Sequence, residues 1–146
     1  MSEIIQLITN KIFLSALIAN LSAQFLKMVI LSYKEKRLNL LHFFELAGMP
    51  SAHTSTVMAI TTVVYLETGV STLFVLMLAL SYYIIEEVLS MEHSIGKHAK
   101  IINQFIKLFS KKIKFKPIRE RWGHTVAEVI AGFILGVIVA VLVYSY

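Results

Sequence analysis

The chain has 146 residues, 57% of them hydrophobic and 16% charged, with a net charge of +5. Its apolar residues fall in long runs rather than in 3.6-residue stripes, and runs near 20 residues are membrane spans, not the core of a soluble domain. Length limits the chain to one membrane domain, 1–146. With no cysteine, disulfides and thiolate metal sites are excluded.

In chain order, the first span runs from about Ile12 to Leu31, with Gln24 and Lys27 near its end. Glu3 precedes any basic residue and no small-residue cleavage site follows a short apolar core, so no cleavable leader is expected. The second span, about 51–66, is short and rich in Ser and Thr. The third, about 70–85, ends at the carboxylate pair Glu86 and Glu87. A basic segment, about 93–122, follows. Within it "KHAKIINQFIKLFSKKIKFK" repeats apolar residues at helical intervals among lysines, which predicts an amphipathic helix in the membrane interface, closed by Pro117. The fourth span, about 125–146, carries Gly132 and Gly136 in a Gly-x-x-x-Gly spacing that permits close helix contact. The predicted fold is therefore an all-α polytopic membrane bundle of about four transmembrane helices plus an amphipathic interfacial helix.

Of fourteen Lys and Arg, three lie between spans one and two and nine between His93 and Trp122. Positive loops stay in the cytoplasm, so a multi-pass inner-membrane protein with both termini extracytoplasmic is expected. The charge then reflects topology and contact with anionic lipids. No soluble basic face with base-reading groups is seen, so no nucleic-acid partner is expected. A homodimer through the glycine face is an open expectation.

That topology gathers polar residues at one side. The start of span two carries Pro50, Ser51 and His53, and the start of span four carries His124 and Glu128. Lys27, Lys34, Glu86 and Glu87 end the other two spans. Two helix N-termini and the cations Lys27, Lys34, Arg119 and Arg121, with the Ser51 hydroxyl, make an anion site. His124 and Glu128 are four apart, so the carboxylate can fix the imidazole's tautomer. His53 would serve as acid and then base in phosphoryl transfer through a phosphohistidine. Singly, each residue has a plainer account: a headgroup contact for His53, a structural hydrogen bond for His124 and Glu128, snorkelling for Lys27. Adjacent carboxylates at a span's end are costly without partners.

"GMPSAHTST", "GKHAKIIN" and "GHTVAEVIAGFILG", with "AQFLK" before them, resemble the divergent branch of the type 2 phosphatidic acid phosphatase (PAP2) family over Leu21 to Tyr146. The wider family's motifs are Lys-x6-Arg-Pro, Pro-Ser-Gly-His and Ser-Arg-x5-His-x3-Asp. Lys27 and Lys34 keep the first spacing, with Lys34 for the arginine and Glu35 for the proline. Ala52 replaces the glycine of the second motif, Glu128 the aspartate of the third, and Arg119 lies one residue too close to His124. By this resemblance His124 is the nucleophile, Glu128 its orienting carboxylate and His53 the proton donor. Lys27, Lys34, Ser51 and an arginine would hold the phosphate.

In "EVLSMEHSIGK", Glu87 stands for the branch's aspartate, while Glu92 and His93 stand where paired arginines would be; either anion affinity is lowered or Lys97 or His98 supplies the charge instead. The resemblance implies a lipid phosphate or polyprenyl (pyro)phosphate phosphatase working at the cytoplasmic face on a lipid phosphate substrate. No metal or cofactor is expected, although Glu86, Glu87, His93 and Glu128 are groups that could hold a divalent cation. A metal-dependent phosphatase at the same site, and a non-catalytic module that binds or transports anionic lipid, are the alternatives.

Overall fold

The computed structural model describes residues 3–45, 47–109, 116–120 and 122–146. The described residues form five α-helices: α1 (Glu3–Ile8), α2 (Lys11–Lys34), α3 (Ala52–Thr68), α4 (Thr72–Phe109) and α5 (Val126–Ser145). A 3-10 turn at Leu40–Phe44 lies between α2 and α3. The chain is an all-helical membrane bundle, and α2, α4 and α5 are each long and apolar enough to cross a bilayer.

The helices begin where their caps allow. The Asn10 side chain accepts from the amides of Ile12 and Phe13 at the start of α2, and Ser51 accepts from the Thr54 amide at the start of α3. Thr125 and Glu128 form a reciprocal capping box at the start of α5.

Successive long helices run in opposite directions. At the end of the bundle away from the histidines, Lys11 Nζ donates to the Tyr144 carbonyl (2.8 Å), and the Tyr144 hydroxyl donates to the Leu66 carbonyl (3.1 Å). The start of α2 and the ends of α3 and α5 therefore meet there, which leaves the starts of α3 and α5 together at the other end.

The second expected span, α3, has 17 residues, so it is about 26 Å long. It packs on α2, α4 and α5 and buries more of itself than its neighbours do. Its Ser and Thr residues, which lowered its apolar character in the sequence, join helices. The Ser55 hydroxyl donates to the Ala19 carbonyl, the Asn20 amide to Thr56, and Thr61 pairs with Ser81 at 2.7 Å. Small residues at the centre, Ala19, Ala59 and Ala140 with Val63 and Val139, let the axes approach closely.

The Gly-x-x-x-Gly spacing of α5 is used inside the chain. A Cβ on Gly132 would lie 2.5 Å from the Ser51 carbonyl oxygen, and one on Gly136 only 2.4 Å from that of Ser55. This face packs on α3 and is not free to receive a second copy.

The third span and the start of the basic helix, expected as separate elements with the second in the interface, are one 38-residue helix, α4; residues 110–115 of that expected helix lie outside the described residues. The reason is local. Hydropathy falls at Glu86, but charge does not break a helix. No proline occurs between Thr72 and Pro117, and Gly96 costs only about 1 kcal/mol relative to alanine.

Gly136→Leu is expected to destabilise the detergent-solubilised protein by about 1–3 kcal/mol or more, the range for overpacking. Thermal unfolding followed by Trp122 fluorescence checks this. Ile134→Leu, on the exposed face of the same helix, should leave the transition unchanged.

Candidate active site

His53 is the second residue of α3, and His124 precedes the cap of α5 by one residue. The Ser51 amide donates to the Glu128 carbonyl (2.9 Å), which joins the two helix starts directly. The imidazole rings stand edge to face with centroids 6.3 Å apart. The expected pairing of two distant histidines is thus what the fold produces.

Their surroundings differ. His124 is 4% exposed, whereas His53 is exposed. His124 Nδ1 lies 3.2 Å from Glu128 Oε2, a carboxylate oxygen that also accepts from the Thr125 amide. Burial holds the His124 imidazole below the usual histidine range; the Glu128 hydrogen bond and charge oppose the shift, and the charges of Lys27 and His53 add to it. Near neutral pH the ring is accordingly uncharged, with Nδ1–H donating to Glu128 and a lone pair on Nε2. That Nε2 is buried with no hydrogen-bond partner among the described residues. Such an atom is unusual in a folded protein and is a position where a water, an ion or a reacting group can bind.

Glu92 completes the cluster. His53, Glu92 and His124 each bring one nitrogen or oxygen atom to within 4.8 Å of the others. In the sequence Glu92 stands out only as a carboxylate in the place of a cation. Its place follows once α4 is one helix: Val88, Glu92, Gly96, Ala99 and Asn103 recur at intervals of three or four and lie on the least exposed face, while Glu86 and His93 fall off it.

The remaining candidates divide. Lys27 is 1% exposed, donates from Nζ to the Glu45 carbonyl (2.9 Å), and feels the charges of Glu128, Glu45, Arg119 and Glu92. Its stem passes beneath Gly48, where a Cβ would come within 3.1 Å of Lys27 Cγ. A cavity of about 340 Å³ beside His124 and Glu128 is lined by His93, Lys97 and Lys100, so Lys97 supplies charge there and His98 is not among its lining residues.

Ser51 is fully buried and caps α3, its hydroxyl oxygen accepting from the Thr54 amide and hydroxyl. Arg119 is ion-paired with Glu45 and lines a neighbouring cavity with His42 and Glu35. Lys34 is exposed and lines another cavity with Lys36 and Arg37. Glu86 is exposed and accepts from the Ser90 hydroxyl (2.8 Å), and Glu87 is half-buried off the inward stripe. Arg121 lies outside the described residues.

The segment that carries His124 is anchored on α4. The Asn103 side chain donates to the Ile118 carbonyl (2.7 Å) and to Glu120 (2.8 Å), and accepts from the Ile118 amide (2.8 Å). The His124 amide donates to the Val88 carbonyl (3.1 Å). Gly123 has φ +79°, and a Cβ there would lie 2.7 Å from the His93 nitrogen, so glycine is required twice over.

The description "Divergent PAP2 family" matches residues 8–139. The chain is also similar to a protein of Bacillus subtilis (strain 168) named "Uncharacterized membrane protein YuiD". The two are 29% identical over 155 aligned positions, covering 97% of this chain and 98% of that one. No solved structure matches it.

Asn103→Ala would remove both hydrogen bonds to Ile118, at about 0.5–1.5 kcal/mol for each. Faster hydrogen exchange over residues 116–124, with protection of α2 unchanged, is the expected outcome.

Proposed function

This chain belongs to the Divergent PAP2 family, and from that membership together with the paired imidazoles we propose that it is a membrane phosphatase for lipid phosphates or polyprenyl (pyro)phosphates. It is a multi-pass membrane protein related to the type 2 phosphatidic acid phosphatases. The observation that carries the proposal is the buried, unpartnered Nε2 of His124 beside the exposed ring of His53.

In the proposed reaction, the His124 Nε2 lone pair attacks phosphorus while the bond from phosphorus to the lipid oxygen breaks. His53, protonated, gives its proton to the leaving alkoxide or phosphate. It then takes a proton from water as that water attacks the phosphohistidine, which releases inorganic phosphate and restores both rings. Glu128, held by the Thr125 amide, keeps Nδ1 as the donor and stabilises the positive charge that His124 acquires. Lys97 and Lys100, which line the cavity beside His124, and Lys27, whose charge reaches His124, would offset the phosphate's charge, and catalysis would rest on positioning and charge stabilisation.

The end of the bundle holding this cluster also carries the basic loop with Lys34, Lys36 and Arg37. The distribution of positive charge supports a cytoplasmic site in the inner membrane with both termini outside.

Phosphate release from a panel of lipid monophosphates and diphosphates by the purified protein tests this reading. His124→Ala and His53→Ala should each reduce release by at least about 100-fold. Rapid quenching with labelled substrate should trap an acid-labile, base-stable phosphoprotein in the wild type and none in His124→Ala. Undiminished release by both variants would rule the mechanism out.

A further inference from the structure

A phosphate site does not account for Glu92. Its carboxylate faces the same point as the two imidazoles, where its negative charge opposes a phosphate and favours a cation. His124 has a buried lone pair to offer, because Nδ1 is occupied by Glu128 and Nε2 has no partner among the described residues. A carboxylate that orients a histidine from behind is the usual support for a metal-binding imidazole.

We propose that His53, Glu92 and His124 form a site for one divalent transition-metal ion, zinc foremost, and that its occupancy blocks phosphoryl transfer. Two imidazoles and one carboxylate suit zinc rather than magnesium or calcium, which prefer all-oxygen surroundings. Tetrahedral zinc with bonds of about 2.0–2.2 Å holds its ligand atoms about 3.3–3.6 Å apart. The three atoms here lie within 4.8 Å of one another, so a closure of up to about 1.4 Å completes the set. His53 and Glu92 have room for it, being exposed and half-buried, while His124 stays fixed. The fourth position is left to water or to a phosphate oxygen.

The blocking effect rests on the proposed phosphatase reading, since one lone pair on Nε2 cannot hold zinc and attack phosphorus together. Binding of the metal does not rest on it.

Zinc titration of the full-length, chelator-treated protein, purified in detergent without a polyhistidine tag, tests the proposal by calorimetry and zinc X-ray absorption. One equivalent is expected, with only nitrogen and oxygen ligands and two imidazoles among them. Glu92→Gln and His53→Ala should each weaken binding at least tenfold, and the isosteric Glu92→Gln carries the test if His53→Ala fails to fold. No saturable site, or a Glu92→Gln variant that binds as tightly as the wild type, would overturn the site.

In the phosphate-release assay zinc should inhibit, and Glu92→Gln should raise the half-inhibiting concentration at least tenfold. Equal release with and without bound zinc would overturn the block. Zinc binding with this dependence in a protein that releases no phosphate would support the metal site while the phosphatase reading fails.

Discussion

The contact on which the site depends is one of backbone against backbone. Gly132 and Gly136 of α5 lie directly on the carbonyls of Ser51 and Ser55 of α3, and the Ser51 amide bonds to the Glu128 carbonyl. Lipid supplies no hydrophobic drive between helices, so tight packing of small residues and interhelical hydrogen bonds must hold them. Here both operate within one turn of His53. The separation of the two imidazole rings is therefore a consequence of side chains that are absent from α5.

The two histidines are held to different degrees. His124 is fixed by its amide bond to Val88, by the clamp that Asn103 places on the preceding segment, and by Glu128 at Nδ1. His53 stands exposed on the first turn of α3. A fixed group with a buried lone pair suits attack on phosphorus, and a ring with freedom to turn suits proton delivery to two different oxygens. The same asymmetry lets a cation draw His53 and Glu92 towards His124.

Much of this was legible in the residues. The helix starts at Ser51 and Thr125 follow from their caps, and the antiparallel order follows from the placement of basic and uncharged loops. His53, His124 and Glu128 could be grouped because helix N-termini of equal polarity must share a face of the membrane. What the sequence hid was the length of α4. A drop in hydropathy at Glu86 reads as the end of a span, yet nothing there breaks a helix, and so the inward stripe through Glu92 and Asn103 was cut in two. Ser51 and Arg119 were hidden for another reason. Residues suited to bind phosphate are equally suited to cap a helix or pair with a carboxylate, and only the coordinates distinguish these uses.

That α4 is one helix also ties the site to the bilayer. Its apolar first half lies among acyl chains, while Glu92 and Asn103 ride further along the same rod. A thicker or thinner hydrocarbon layer that altered the tilt of this helix would swing the Glu92 carboxylate and the segment anchored at Asn103 as a unit. His53, carried by the enclosed α3, would lag behind. Membrane thickness would then bear on the gap between a carboxylate and an imidazole, without any soluble effector.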